Sequence, residues 1–272
     1  MASGEYMSKT AVSPAVGNLL DLSGKAILVT GASGNIGRGI AKRLAEAGAS
    51  IVVHYFSDEA GAADTVALIA KEGGQAFVVQ ADLRSEDAVA GMFAKLQERH
   101  HQVNGVVNNA AAQPPPQPLK DMSAADWQSV MQANLDSAFL VTKNAANSMS
   151  ERGDGGAVVN IASISGLDPS IGHSQYATSK AGLIMLTRAA AQEYGAVGIR
   201  VNSVSPGLID RDGLAQAWPE GVNSWQQRAP LVRLGRADDV ADAVLFLLSP
   251  ASSWISGINL IVDGGMSAVS RW

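Results

Sequence analysis

The sequence predicts an α/β domain built on a doubly wound, seven-stranded parallel sheet with helices on both faces. Three observations carry that expectation. Short apolar runs of strand length alternate along the chain with longer stretches of helical periodicity. Those runs are near-continuous in Val, Ile and Leu, as strands covered on both faces are. The first run passes directly into a glycine-rich turn and then a helical pattern, which is how a βαβ unit opens.

A chain of 272 residues, 47% hydrophobic and 17% charged, can bury a full core, and one α/β domain of this length is ordinary. The net charge of −5, without a Lys/Arg cluster, argues against a nucleic-acid partner. The absence of cysteine excludes disulfides and thiolate chemistry and fits a reducing compartment, so a cytoplasmic location is expected. The longest apolar runs, such as 243–248, are too short to span a bilayer, and no membrane partner is expected. Residues 1–20 read as a flexible arm, because Glu5 and Lys9 interrupt any apolar core of a secretory signal. Residues 21–272 read as the single folded domain.

Residues 25–30 (Lys-Ala-Ile-Leu-Val-Thr) form the first strand, and Gly31-Ala-Ser-Gly34-Asn-Ile-Gly37 follows at once. Ile36, Ile40, Leu44 and Ala47 keep helical spacing until Gly48 closes the helix. A strand, a glycine turn and a helix N-terminus make a pyrophosphate site, since backbone N–H groups face the anion and no side chain blocks it. Residues 50–54 are the second strand, and its end reads His54-Tyr-Phe-Ser57. Many dinucleotide sites carry an acid there for the adenosine ribose diol. The first acid here is Asp58, which belongs to the next helix's first turn. A 2′-phosphate is therefore admissible, with Ser57 and His54 as donors, although no arginine stands there to clamp it. NADP(H) is expected over NAD(H).

Residues 75–80 are the third strand, leading into Asp82-Leu83, and Val89, Met92, Phe93 and Leu96 mark the next helix. Residues 105–111 give a fourth strand ending in two asparagines and two alanines, a suitable surface for a flat ligand. Pro114, Pro115, Pro116 and Pro118 make a stiff loop, either a wall of a substrate pocket or a plain connector. Ser123 and Asp126 have capping-box spacing and open a long helix with Trp127, Val130 and Met131. Asn134 sits inside it, where an amide competes with the backbone.

The fifth apolar run, 157–161, stops just before Ser163. A helix from Ser174 to Tyr194 carries Tyr176 and Lys180 four residues apart, on one face. A lysine ammonium beside a phenol favours the phenolate, so a tyrosine of ordinary pKa about 10 can act as a base nearer neutrality. The plain alternative is a surface Tyr and Lys on an amphipathic helix. Residues 200–205 are the sixth strand, broken by Pro206-Gly207. The segment 208–232 holds Trp218, Pro219, Trp225 and Pro230 with little periodicity and reads as a lid. A helix over 237–248 precedes a seventh strand, 257–262, turned by Asp263-Gly-Gly265. The histidines have no metal-ligand spacing, and no metal is expected.

In this order and spacing, the motifs across residues 22–265 resemble those of the short-chain dehydrogenases/reductases, in their shorter single-domain branch. The resemblance implies a Rossmann-like, NAD(P)-binding catalytic domain. Gly31, Ser33, Asn35, Ile36 and Gly37 fall in the family's cofactor turn, and Tyr55 and Ser57 lie at the end of the second strand. Asp82 and Leu83 match the adenine segment, and Asn108, Asn109 and Ala110 match the one beside the adenine ribose. Pro206, Gly207 and Ile209 match the turn facing the nicotinamide. Asn134, Ser163, Tyr176 and Lys180 fall on the four catalytic positions. By resemblance, Tyr176 exchanges a proton with the substrate, and Lys180 lowers the tyrosine pKa and holds the nicotinamide ribose. Ser163 bonds the substrate oxygen, and Asn134 holds a water.

The implied reaction is hydride transfer between nicotinamide and a secondary alcohol or ketone, a small-molecule substrate. Narrower alternatives are a 3-oxoacyl-carrier-protein reductase, which would want a basic docking patch, or a sugar or polyol dehydrogenase. A non-catalytic nicotinamide-binding regulator usually loses the Tyr or Lys, and both are present. Three positions depart from the family pattern: Asn35 and Ala111 stand where glycines are usual, and Arg211 where a threonine often bonds the carboxamide. Gln113, His173, Arg211, Trp218 and Trp225 are the candidates for substrate contact, from their place in loops over the site. Relatives commonly form homotetramers, so a homotetramer or homodimer is expected.

Overall fold

The structure, a computed structural model, describes residues 14–98 and 102–269. Its strands are β1 (Ala26–Val29), β2 (Ser50–Tyr55), β3 (Gln75–Gln80), β4 (Val103–Asn108), β5 (Gly156–Ile161), β6 (Ile199–Pro206) and β7 (Asn259–Val262). They form one seven-stranded sheet in the order β3-β2-β1-β4-β5-β6-β7, parallel throughout. The chain begins at the centre, builds outward to β3, then returns to β4 and builds the other way. The order reverses between β1 and β4, and ligands of open α/β sheets bind in the crevice beyond the strand ends at that point.

The helices are α1 (Asn35–Glu46), α2 (Glu59–Lys71), α3 (Glu86–Glu98), α4 (Ala124–Met131), α5 (Ser137–Arg152), α6 (Ser174–Tyr194), α7 (Leu214–Ala217), α8 (Pro219–Arg228) and α9 (Ala237–Leu248). Alternate residues of β1 serve opposite faces. Ile27 and Val29 pack with Ile40 and Leu44 of α1 and Val244 of α9. Leu28 packs with Met92 of α3 and Val141 and Met149 of α5. A strand with helices on both sides has no solvent face, hence its unbroken apolar sequence.

Two regions depart from the sequence expectation. The segment 208–232 contains the helices α7 and α8, and Pro219 is the first residue of α8, where a missing N–H breaks no helical bond. The helix opened by the Ser123–Asp126 capping box does not run on as α-helix, because residues Gln132–Asp136 form a π turn between α4 and α5. Most of the expected N-terminal arm lies outside the described residues. Its end carries a 3-10 turn, Val16–Asn18, and the Leu19 carbonyl accepts the Ala251 N–H at 3.0 Å.

His54 corrects a further expectation. It is 1% exposed, its Nδ1 accepts the Gly31 N–H at 3.2 Å, and its Nε2 lies 3.1 Å from the Ala81 carbonyl. Both ring nitrogens are occupied, so it cannot donate to a phosphate. It ties the glycine turn, β2 and the end of β3 together as a neutral ring, and burial lowers its pKa to about 4. The folded value lies below that of an unfolded histidine, so its contribution is fully present above pH 6.5 and is lost as pH falls toward 4. That loss reaches about 3 kcal/mol. Urea unfolding at pH 7.5 and pH 5 should show a steeper fall in stability for the wild type than for His54→Asn. Equal slopes would remove His54 from the account.

Candidate active site

The site lies along the C-terminal ends of β1, β4, β5 and β6. At one side, Thr30 follows β1, and its hydroxyl accepts the backbone N–H groups of Asn109 and Ala110 at 2.9 and 3.0 Å. The Asn109 amide donates to the carbonyls of Thr30 and Gly31 at 2.9 and 3.0 Å. These bonds lock the ends of β1 and β4 across the switch point. Gly31 has φ +61°, and a Cβ there would lie 2.9 Å from the Ala110 Cα. A Cβ on Gly37 would collide with the Gly31 carbonyl and the Asn109 amide. Asn35, standing where glycine is usual, has φ +48°, the left-handed conformation asparagine tolerates.

The N-cap of α1 is Gly34, which makes no side-chain cap, and the first turn carries no acid. A Cβ on Gly34 would meet nothing within 4 Å. The helix therefore presents uncapped N–H groups to open space beside a backbone-lined crevice, which fits the pyrophosphate of a dinucleotide. Ser33 and Ile36 flank this turn, but the Ser33 carbonyl is taken by Arg38 Nη2 at 2.7 Å and Ile36 packs on the core. The side chain of Tyr55 packs on one core and that of Leu83 is buried in the other, so neither side chain is offered to a ligand. Ser57 is exposed. The Asp82 carboxylate is held by Arg84.

The four residues singled out as catalytic come together from three elements. Ser163 follows β5 in extended conformation, and its Oγ accepts the Ser165 N–H at 3.1 Å. Tyr176 lies in the first turn of α6, near enough to the Ser163 hydroxyl for it to favour the phenolate. Lys180, one turn on, is 2% exposed; its Nζ donates to the Ile161 carbonyl at 2.7 Å and lies 5.7 Å from the Tyr176 ring centroid. Burial lowers the lysine pKa to about 8. The phenol does not follow the expected direction in this structure. Burial raises its pKa, and the opposing hydrogen bond from Ser163 is the smaller effect.

Asn134 sits in the π turn, 1% exposed. Its Oδ1 accepts the Ala112 N–H at 2.7 Å, and its Nδ2 donates to the Ala112 carbonyl and to Ser179 Oγ, both at 3.0 Å. Both amide hydrogens are spent on protein, which leaves the second lone pair of Oδ1 for the water it was expected to hold. The side chain also clamps the start of the proline loop. The far end of that loop is clamped too, because the Gln117 N–H donates to the Gly172 carbonyl at 2.8 Å. Tied at Asn134 and at Gly172, the loop is held against the segment that leads into α6.

Of the substrate candidates, Trp225 lies closest to the nicotinamide turn, with its ring against Gly207, whose N–H donates to the Val262 carbonyl at 3.0 Å. Pro206 ends β6, and Ile209 bridges to Gly235. His173 is the N-cap residue of α6, and both its Nδ1 and the Trp225 Nε1 are buried without a hydrogen-bond partner. Gln113 and Arg211 are exposed. Trp218 is half-exposed and lies on Gly221 of the helix it precedes. Among the described residues, no group of His, Asp and Glu is placed to hold a metal, and no helix is long and apolar enough to cross a membrane.

With this geometry in view, comparison with known proteins places the chain. A family model described as enoyl-(acyl carrier protein) reductase matches residues 31–267. Glucose 1-dehydrogenase 2 of Bacillus subtilis (strain 168) is 35% identical over 248 residues, 91% of this chain and 96% of that protein. The 3-oxoacyl-(acyl-carrier-protein) reductase of Aquifex aeolicus is 36% identical over 247 residues, 91% of this chain and 99% of that protein. A solved 7α-hydroxysteroid dehydrogenase, complexed with NADH and 7-oxo glycochenodeoxycholic acid, is similar with a TM-score of 0.87 and 37% identity. That likeness covers 93% of this chain and 98% of that one. The chain belongs to the short-chain dehydrogenase/reductase family. It is an NAD(P)-dependent oxidoreductase acting on CH–OH groups.

Sequence reasoning missed Gly166. A Cβ there would lie 2.8 Å from the Lys180 carbonyl carbon and 2.9 Å from the Ala181 nitrogen. The turn after Ser163 rests on the backbone of α6 at Lys180, and only glycine allows that approach. Gly166→Ala should separate Ser163 from Tyr176. We expect about 1–3 kcal/mol lost in denaturant unfolding and at least about a tenfold loss of turnover from misplacement, with dinucleotide affinity within a factor of about two. Unchanged turnover would show that the contact does not position Ser163.

Proposed function

We propose that Asn134, Ser163, Tyr176 and Lys180 carry the reaction within one NAD(P)-binding catalytic domain over residues 21–272. The observation that supports it most is the buried Lys180 ammonium, tied to the Ile161 carbonyl at the end of β5 and 5.7 Å from the Tyr176 ring centroid. The nicotinamide, when bound, gives or takes the hydride. Ser163 Oγ donates to the substrate oxygen and stabilises the charge that develops on it. Tyr176 Oη gives its proton to a carbonyl oxygen in reduction and takes one from a hydroxyl in oxidation. Lys180 holds positive charge near the phenol and favours the phenolate during the transfer. Asn134 positions the pocket wall through Ala112 and the helix turn through Ser179, whose Oγ donates to the Tyr176 carbonyl at 2.7 Å.

The cofactor is NADP(H) in preference to NAD(H), because the end of β2 offers no free carboxylate for a ribose diol. The substrate is a small secondary alcohol or ketone. The names of the similar proteins span a sugar, a hydroxysteroid and acyl groups, and a sugar-type substrate fits the unpartnered polar atoms of His173 and Trp225 better than an acyl chain does. The sequence carries no Lys/Arg cluster that would dock an acidic carrier protein. We place the enzyme in the cytoplasm as a homotetramer or homodimer. The exposed Phe139 and Met185 on α5 and α6, and Ile258 and Ile261 at the open β7 edge, supply apolar surface for assembly.

Tyr176→Phe should reduce turnover by at least about 10²-fold, while the dissociation constant for NADPH, read by titration, stays within a factor of about two. A variant keeping most of its rate would refute the proton-transfer assignment. The pH dependence follows from the phenol. Because burial holds it above its ordinary value, Tyr176 keeps its proton at neutral pH. Reduction rates should therefore be high at neutral pH and fall in the alkaline range, while oxidation rates rise there. Parallel profiles in the two directions would contradict this.

A further inference from the structure

The end of β2 does have an arginine beside it, contributed by a different loop. Arg84 follows β3, and its guanidinium carbon stands 5.1 Å from the centroid of the Phe56 ring. Asp82 fixes it there, accepting from Arg84 Nε at 2.8 Å, Nη2 at 2.7 Å and the backbone N–H at 3.0 Å. Phe56 is itself 51% exposed, and its carbonyl accepts Gln80 Nε2 at 3.0 Å, which fixes its backbone against β3. An exposed aromatic ring covered by a half-exposed guanidinium forms a flat, cationic shelf at the adenosine end of the crevice.

The carboxylates around this shelf are committed elsewhere. Asp58 Oδ1 caps α2 by accepting the Gly61 N–H at 3.0 Å, and Asp82 is spent on Arg84. Neither is free to bind a ribose diol. A second cation lies beneath. Arg38 donates to the carbonyls of Ser33 and Gly61 at 2.7 and 3.1 Å and has no carboxylate partner among the described residues. The glycine turn and the start of α2 are thus joined by an unpaired positive charge. Arg84 Nε and Nη2 face Asp82, which leaves Nη1 for another acceptor.

We propose that Arg84, held on Phe56 by Asp82, selects a dinucleotide carrying a 2′-phosphate. The proposal rests on reading the chain as an NADP(H) enzyme and names the residue responsible. A phosphate dianion can share the guanidinium with Asp82, because the planar fork donates from two edges. A ribose bearing only hydroxyls would gain little from it. Phe56 supplies a flat apolar face that orients the guanidinium while leaving it accessible to a phosphate.

The test is calorimetric titration of the full chain with adenosine 2′,5′-bisphosphate and with 5′-AMP, which needs no turnover. Wild type should bind the bisphosphate at least about tenfold tighter, as one charged hydrogen bond supplies. Arg84→Gln should reduce that preference to about twofold or less without weakening 5′-AMP, and Phe56→Ala should weaken the bisphosphate more than 5′-AMP. Raising the salt concentration should erode the wild-type preference but not the variant's. A preference preserved in Arg84→Gln, with the same circular dichroism as wild type, overturns the role of Arg84 alone. Equal binding of both fragments by the wild type overturns the NADP(H) reading and the proposal together.

Discussion

A lysine ammonium withdrawn from water, with one peptide carbonyl as its fixed partner, sets the geometry of this site. Lys180 has no carboxylate beside it to offset its desolvation, and uncompensated burial of charge costs several kcal/mol. The bond to the Ile161 carbonyl joins the middle of α6 to the end of β5. Once that distance is fixed, Tyr176 one turn earlier meets Ser163 two residues beyond Ile161. The bare backbone of Gly166 lets the two segments close, and Ser179 extends the arrangement to Asn134 and the proline loop. A position unfavourable to the lysine is thus used to order the groups around it.

The strands were legible because burial on both faces writes one signal, an unbroken apolar run bounded by glycine, proline or asparagine. All seven expected strands are present in the sheet. The grouping of Ser163, Tyr176 and Lys180 was legible through spacing: four residues is one helical turn, and the serine stands where an apolar run stops. Asn134 was conspicuous as an amide inside a helix, and the π turn explains how the backbone accommodates it. Its partner, the Ala112 main chain, leaves no side-chain signal, so its role as a clamp could not be read.

The adenosine end was read less well, for one recurring reason. Its contacts join residues far apart in sequence through main-chain atoms or side-chain stacking. His54 reads as a surface donor in the sequence because nothing local shows that Gly31 and Ala81 occupy both its nitrogens. Arg84 leaves no signal at the end of the second strand because it lies one strand further on, and only the parallel pairing of Tyr55 with Gln80 brings its loop alongside. Helices α7 and α8 were hidden by Pro219, which marks a helix start as readily as a break.

The π turn also bears on which changes in chain length this protein tolerates. It holds one more residue per turn than the flanking α4 and α5, and that surplus is what swings Asn134 toward Ala112. Deleting a single residue within 132–136 would let the two helices merge into a regular rod with better internal hydrogen bonding. The same deletion would remove the swing that carries Asn134 to Ala112. The irregular turn thus trades local helical regularity for the anchor of the pocket wall.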